Sequence, residues 1–153
     1  MPVQKLKDYL DENEVKYVSL SHSKAYTASA VAASAHVKGK NLAKTVIVKL
    51  DGKITMAVLP AKYRVDLEQL RKASLSGTVE LATEEDFENK FPGCEGGAMP
   101  PFGNLYGVPV YVEMSLAEDE EIAFNACSHA ELIQLAYKDF ARLVKPTVAG
   151  FRM

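Results

Sequence analysis

The sequence has no tryptophan, only two cysteines and three histidines, and no long apolar run. Cys94 and Cys127 form no CxxC pair and no obvious disulfide framework, which predicts reduced thiols and a cytoplasmic location. No stretch approaches the roughly 18 consecutive apolar residues that a membrane-spanning helix needs, so no membrane partner is expected. The histidines and cysteines lack the spacing of metal ligands, and we expect neither a metal nor another cofactor.

An excess of charge of one sign is also lacking, because the net charge is only −2 at pH 7. Indiscriminate coating of nucleic acid needs a strongly basic surface and is therefore excluded, but a local basic patch could still bind RNA. Lys38 and Lys40 are candidate phosphate contacts, although loop lysines are more often simply solvated. No repeat, low-complexity tract or Ser/Gly linker interrupts the chain, which predicts one domain over residues 1–153.

What the chain does contain is a mixture of helical and strand patterns. They predict an α/β or α+β fold with a mixed, curved β-sheet surrounded by helices. Asp51-Gly52 predicts a hairpin between strands 44–50 and 54–59, and Thr27 is the predicted cap of an alanine-rich helix at 28–33. Further helices are predicted at the N-terminus, from Asp66, from Thr83 and from Tyr137, and further strands at 15–20, 109–113, 122–125 and 131–136. The pattern of the last segment, 131–136, fits a helix as well as the strand that we predict.

A loop of glycines and prolines, residues 96–103, is the most informative segment. Gly97 and Ala98 let the backbone approach a ligand closely, while Pro100 and Pro101 fix φ and carry no N–H. Such a stiff segment can hold its few N–H groups in advance, as oxyanion stabilisation requires. An ordinary turn is the alternative interpretation.

Lys44 begins an apolar predicted strand, where a cationic side chain is costly unless its ammonium reaches water or a partner. The simpler interpretation is a strand-end lysine that extends into solvent. The functional one is a lysine aimed into a cleft, where it holds an anion or polarises a carbonyl. His129 and Cys94 are weaker candidates, since a single histidine is usually structural and nothing adjacent would lower the pKa of the Cys94 thiol.

Three blocks together resemble the YbaK/prolyl-tRNA synthetase editing-domain family. They are the segment from Lys44 to Val48, the GxxxP loop from Gly97 to Gly103, and residues 122–126 before a final helix. The resemblance covers nearly the whole chain and implies the fold of that family. It also implies a freestanding aminoacyl-tRNA deacylase, which acts on the 3′ end of mischarged tRNA.

By this resemblance, Lys44 contacts the aminoacyl-adenosine end, and the loop with Gly97 and Pro101 holds the ester near the attacking water. The resemblance places His129 in the amino-acid pocket, where Tyr26, Thr27, Met99 and Pro100, with Ala98 of the same loop, are candidate substrate-binding residues. Cys127 departs from the family, in which glycine is expected. The edited amino acid stays open among alanine, serine, threonine and cysteine, and a synthetase or an elongation factor is a candidate partner. The alternative function is a non-catalytic module that binds an aminoacyl group or a nucleotide.

Overall fold

The structure is a computed structural model that describes residues 2–21, 42–87, 89–92, 94–95 and 97–153. The helices are α1 (Pro2–Glu12), α2 (Leu67–Ser74), α3 (Glu84–Phe87), α4 (Met114–Ala117) and α5 (Tyr137–Val144), with a 3₁₀ turn at Gly103–Leu105. The strands are β1 (Tyr17–Ser21), β2 (Ala43–Leu50), β3 (Lys53–Pro60), β4 (Val79–Leu81), β5 (Val110–Glu113), β6 (Glu121–Asn125), β7 (Glu131–Ala136) and β8 (Thr147–Ala149).

The strands form two sheets. A five-stranded mixed sheet has the order β4–β2–β3–β5–β8, and an antiparallel sheet has the order β1–β7–β6. An isolated parallel bridge between Leu42 and Ala123 connects the start of β2 to β6. The predicted α+β fold class with a mixed sheet is therefore confirmed, but the strands are divided between two sheets rather than gathered into one.

The mixed sheet separates two hydrophobic cores, because successive side chains of a strand point to opposite faces. Ala43 and Ile47 of β2 belong to the main core, which also contains residues of α1, β6, β7 and α5. Val48 belongs to a second core on the other face, beneath Leu70 of α2 and Phe151. Any residue of β2 is thus assigned to one of the two faces by its position alone.

The local sequence signals account for most element boundaries. Asp51 and Gly52 adopt φ values of 51° and 83°, as a tight hairpin turn requires, and β2 pairs with β3 over its whole length. The Asp66 carboxylate accepts hydrogen bonds from the N–H groups of Glu68 and Gln69 and so caps α2. The ambiguous segment 131–136 is the strand β7, as predicted. The predicted helix at 28–33, with its cap Thr27, lies outside the described residues.

One partly buried ion pair connects α1 to the central strand β7 and the outer strand β1 of the antiparallel sheet. Lys7 Nζ lies 2.8 Å from Glu131 Oε2, and the Ser19 hydroxyl donates to the same oxygen at 2.5 Å. Burial alone would raise the pKa of Glu131, but the hydrogen bonds from Lys7 and Ser19 outweigh it and the pKa is lowered. The charged carboxylate is therefore favoured by the folded state.

Glu131→Gln should destabilise the fold at neutral pH by about 1 kcal/mol, because it replaces the charged acceptor of these hydrogen bonds with a neutral one. A lowered pKa stabilises the fold above the range in which a free glutamate titrates, and this stabilisation is lost as the pH falls through the folded-state value. Urea unfolding of both proteins at neutral pH and below about pH 4 checks this. The difference between them should shrink in acid, and an equal difference at both pH values would contradict the assignment.

Candidate active site

The loop that carries Gly97 makes its turn at the protein surface. Gly97 is exposed and has φ of 81°, a conformation that glycine adopts without steric cost. The N–H of Ala98 donates to the Glu95 carbonyl at 3.0 Å and closes the turn. The N–H groups of Gly97 and Met99 donate no hydrogen bond to any described residue. Two backbone donors of the turn are therefore unpaired within the described chain.

Close packing holds the second half of this loop in place. The Phe102 side chain is fully buried, and its ring centroid lies 5.6 Å from that of Phe124 and 5.4 Å from that of Phe140. A Cβ at Gly103 would lie 2.3 Å from the Val108 carbonyl oxygen, so only glycine fits there. The loop is thus anchored in the main core and gives its glycine turn little freedom to move.

The first half of the loop is hydrogen-bonded to the turn that joins β6 to β7. The Glu95 N–H donates to the Cys127 carbonyl at 2.9 Å, and the Cys127 N–H donates to the Ala98 carbonyl at 2.9 Å. These two bonds run in opposite directions between the same two segments, as in a short antiparallel pairing. They fix the position of the loop relative to the turn.

Side chains strengthen the same contact and bring a histidine to the loop. The Glu95 carboxylate accepts hydrogen bonds from the Ser128 hydroxyl and from the His129 N–H, both at 3.3 Å. The His129 ring then lies beside Gly97, where an added Cβ would be 3.6 Å from His129 Cε1. Gly97, Ala98 and His129 are therefore assembled into one site by the contact between loop and turn.

The two cysteines also lie in this contact. The structure joins Cys94 to Cys127 in a disulfide, across a sequence separation of 33 residues. The prediction of two reduced, unpaired thiols is therefore wrong for this structure. The separation of 33 residues in the sequence gave no sign that the two cysteines lie close together. The Cys127 position, where the resemblance leads us to expect glycine, has φ of 66°. Glycine would adopt that left-handed conformation more easily, which is the physical reason for the expectation.

Lys44 lies on the other face of the mixed sheet from the core that anchors the loop. It shares the face of β2 with Val46 and Val48, which contact the second core, whereas Met99 and Phe102 belong to the main core. Lys44 lines a cavity of about 470 Å³ together with Arg64 and the apolar residues Val46, Val65, Leu67, Leu81 and Met153. Burial and the nearby Arg64 charge lower the pKa of Lys44.

The remaining predicted residues have the following places. Ala98, Met99, Pro100 and Pro101 are all buried within the loop, and Met99 packs in the main core. Tyr26, Thr27, Lys38 and Lys40 lie outside the described residues. Among the described residues, the cavity at Lys44 is lined by none of the loop. The structure thus places the loop with His129, and Lys44 with Arg64, in two separate groups.

The family model described as the aminoacyl-tRNA editing domain matches residues 22–143, which include the loop, Lys44 and His129. The chain belongs to the aminoacyl-tRNA editing domain family. The described residues contain no group of three or more possible metal ligands, and none of the helices in these ranges is both long and apolar enough to cross a membrane.

Individual relatives agree with this membership. The "Multifunctional Ser/Thr-tRNA deacylase ProXp-y" of Escherichia coli K12 is 30% identical over 121 residues, which cover 72% of this chain and 68% of the relative. A solved structure of a proposed trans-editing enzyme for prolyl tRNA synthetase has a TM-score of 0.83 and 19% identity, with 99% of this chain and 97% of that chain covered. Hypothetical protein APE2540 has a TM-score of 0.85 and 18% identity, with 97% and 99% covered. These two structures show the likeness of the fold.

Three residues of this editing domain were not singled out by the sequence. Glu95 holds the turn that carries His129, and Arg64 shares the cavity with Lys44. Asn125, at the end of β6, has a buried side-chain oxygen that has no hydrogen-bond partner in the part of the chain that the structure describes. No pattern in the sequence marks it, since burial depends on the folded chain.

The disulfide predicts how the cysteines of this domain react. Protein purified and denatured without reductant should take up no iodoacetamide, and it should take up two equivalents after reduction, because both sulfurs are bonded. Intact-mass spectrometry counts the added groups. Cys94→Ser is the control and should take up one equivalent without reductant. Two equivalents on the unreduced wild-type protein would contradict the bond.

Proposed function

We propose that this chain is a trans-acting aminoacyl-tRNA deacylase. It hydrolyses the ester between a wrongly attached small amino acid and the 3′-terminal ribose of tRNA, and so contributes to translation quality control. The observation that carries the proposal is the anchored turn at Gly97, where the N–H groups of Gly97 and Met99 donate to no described residue and the His129 ring lies beside Gly97. Membership of the editing-domain family and the name of the Escherichia coli relative, a Ser/Thr-tRNA deacylase, support it.

Ester hydrolysis passes through a tetrahedral intermediate whose oxygen carries a negative charge. Donors that are already in place stabilise this charge without reorganisation, and removal of one such donor typically slows an enzyme on the order of 10²–10³-fold. The N–H groups of Gly97 and Met99 are suited to this role because the loop is held by Phe102 on one side and by Cys127 on the other. An aminoacyl ester is already activated, so positioning of a water beside it supplies much of the remaining catalysis.

No nucleophilic side chain is needed in this scheme. Cys94, the one candidate nucleophile near the loop, is bonded to Cys127 and has no thiolate to offer in this structure. Water is therefore the attacking group, and a hydroxyl of the terminal ribose is placed to assist it once the substrate is bound.

The amino-acid pocket is proposed to lie between the loop and the turn. Pro101 keeps the loop in shape, Ala98, Met99 and Pro100 form its buried wall, and His129 stands across the opening. Tyr26 and Thr27 stay predicted pocket residues. A closely packed wall favours alanine, serine, threonine or cysteine, because larger side chains would have to displace core residues.

Lys44 is proposed to bind the nucleotide end of the substrate. Its ammonium is half-buried and forms no ion pair or hydrogen bond within the described chain, so it is available to an anionic ligand. We also propose that the tRNA is transferred from a synthetase or an elongation factor. Residues 1–153 act as one domain, and the protein is located in the cytoplasm.

Lys44→Ala should lower the rate of deacylation by about tenfold to a hundredfold, because a charged contact with substrate is worth about 1.5–3 kcal/mol. The fold should be unchanged, since Lys44 has no partner among the described residues. Release of the amino acid from a panel of mischarged tRNAs measures the rate. Lys53→Ala, at the opposite end of the same hairpin, is the matched control and should keep full activity. Equal rates for Lys44→Ala and wild type on every tRNA would remove Lys44 from the site.

Gly97→Val should abolish deacylation, because valine is strained at φ of 81° and its branched side chain would approach the His129 ring. Gly52→Val is a matched control: Gly52 has φ of 83°, and a Cβ there would meet nothing within 4 Å. Both variants carry the backbone strain, and only Gly97→Val blocks the proposed site. The measurement is hydrolysis of the same tRNA panel, together with thermal unfolding of both variants. Full activity of Gly97→Val would contradict the role of the loop, and protection of the ester by the wild-type protein would indicate a binding module.

A further inference from the structure

The disulfide between Cys94 and Cys127 joins the two segments that form the proposed site. Cys94 lies three residues before Gly97 at the start of the loop, and Cys127 lies two residues before His129 in the turn between β6 and β7. A bond across 33 residues removes much of the conformational freedom of the chain between its ends. The disulfide is therefore placed to control how firmly the loop is held to the turn.

The second half of the loop has an anchor of its own, whereas the first half depends on the turn. Phe102 is fully buried in the main core. The half with Gly97 is held by the two backbone bonds that Glu95 and Ala98 form with Cys127, and by the Glu95 carboxylate. Hydrogen bonds near the surface open locally at a lower free energy than the core unfolds. The covalent bond limits such opening.

Cys127 has a backbone conformation that a residue with a side chain rarely adopts. Its φ of 66° lies in the left-handed region, where a Cβ approaches the following carbonyl oxygen too closely. The bond to Cys94 restrains the turn in this conformation. Loss of the bond therefore allows the turn, as well as the loop, to relax.

The two cysteines differ in their exposure to solvent. Cys94 is partly exposed, whereas only 5% of Cys127 is accessible. A thiol reductant attacks the sulfur that it can reach. The attack is therefore expected at Cys94 Sγ, and Cys127 Sγ leaves as the thiolate.

The Tyr106 hydroxyl is positioned to assist the departure of this thiolate. Its oxygen lies 3.9 Å from Cys127 Sγ, and the hydroxyl is the donor because a disulfide sulfur carries no hydrogen. Burial raises the pKa of Tyr106, so its proton stays in place at neutral pH. The Tyr106 ring packs edge-on against Phe91 at 5.0 Å between centroids, and the Phe91 carbonyl accepts the Cys94 N–H at 3.2 Å. The tyrosine thus belongs to the same cluster as both cysteines.

We propose that Cys94 and Cys127 form a reversible redox switch that sets the rigidity of the loop and, with it, the rate of deacylation. The effect on the rate rests on the proposed function. In the oxidised form the disulfide helps to hold the N–H groups of Gly97 and Met99 in place. In the reduced form these donors must be ordered again when the substrate binds, which weakens oxyanion stabilisation. In the cytoplasm proposed for this chain, disulfides are usually transient and often sense the redox state.

The switch works by thiol–disulfide exchange with a small dithiol. One thiolate of the dithiol forms a bond to Cys94 Sγ, the bond between the two cysteines breaks, and the Cys127 thiolate takes up a proton. The second thiol of the reagent then attacks the mixed disulfide, which releases Cys94 as a thiol and closes the reagent into a disulfide. Two electrons and two protons pass from the dithiol to the protein, and the oxidised reagent reverses both steps.

Buffers with different ratios of reduced to oxidised dithiothreitol test the loop without any hydrolysis. Alkylation and intact-mass spectrometry give the fraction of disulfide in each buffer, and NMR gives the exchange rate of single amide hydrogens. Reduction should speed the exchange of the Glu95 and Cys127 N–H groups by about tenfold or more, because the loop opens more often. The Ala82 N–H, which donates to the Ile47 carbonyl in the mixed sheet, is the internal control and should not change.

Deacylation of the panel of mischarged tRNAs is measured in the same buffers. The rate should follow the fraction of disulfide and be about tenfold higher for the oxidised protein, because small misplacements of catalytic groups slow a reaction by such factors. Cys94→Ser leaves Cys127 in place and should show the low rate and the fast exchange in every buffer. Tyr106→Phe keeps the ring against Phe91 and should slow the reduction severalfold without changing either end state. Thermal unfolding checks the folding of both variants.

Equal exchange at Glu95 and Cys127 in the two forms would overturn the inference. So would a reduced protein that hydrolyses the ester as fast as the oxidised one or faster, or a Cys94→Ser variant that still responds to the buffer. Unchanged reduction of Tyr106→Phe would remove the tyrosine from the switch. Slower exchange in the oxidised protein without any hydrolysis supports control of the loop and refutes the deacylase, whereas hydrolysis at one rate in all buffers refutes the switch alone.

Discussion

The pairing of the glycine-proline loop with the turn at Cys127 is the interaction on which the proposed site depends. Two backbone hydrogen bonds of 2.9 Å connect the segments, and the Glu95 carboxylate holds the N–H of His129 beside them. Without this pairing, Gly97 and His129 would belong to two independent surface loops. With it, the Gly97 and Met99 N–H groups, which donate to none of the residues described, are held before a substrate arrives, which is the condition for effective oxyanion stabilisation.

The residues proposed for the site lie on both faces of the mixed sheet. The main core anchors the loop through Phe102, while the opposite face carries Lys44 and Arg64 above the second core. This division suits a substrate with two chemically different ends.

Local signals in the sequence predict much of this fold, and contacts between distant residues account for what they miss. Asp51-Gly52, Asp66 and the pair of Thr83 with Asp86 act on their immediate neighbours, so the hairpin and two helix starts are predictable. The division into two sheets depends on which strands meet, and β4 and β8, of three residues each, are too short to show a pattern. The same limit applies to the site. Lys44 and Gly97 stand out by residue type, but the face on which Lys44 lies, the nearby Arg64 and the cysteine bond arise only when the chain folds.

The most direct measurement of the central claim is an NMR titration of the protein with a non-hydrolysable substrate analogue, in which an amide replaces the ester between a small amino acid and adenosine 5′-monophosphate. Binding should shift the backbone amide signals of Gly97 and Met99 and the ring signals of His129, because the carbonyl of the analogue is held by those donors. Saturating binding that leaves all three residues unshifted would contradict the account.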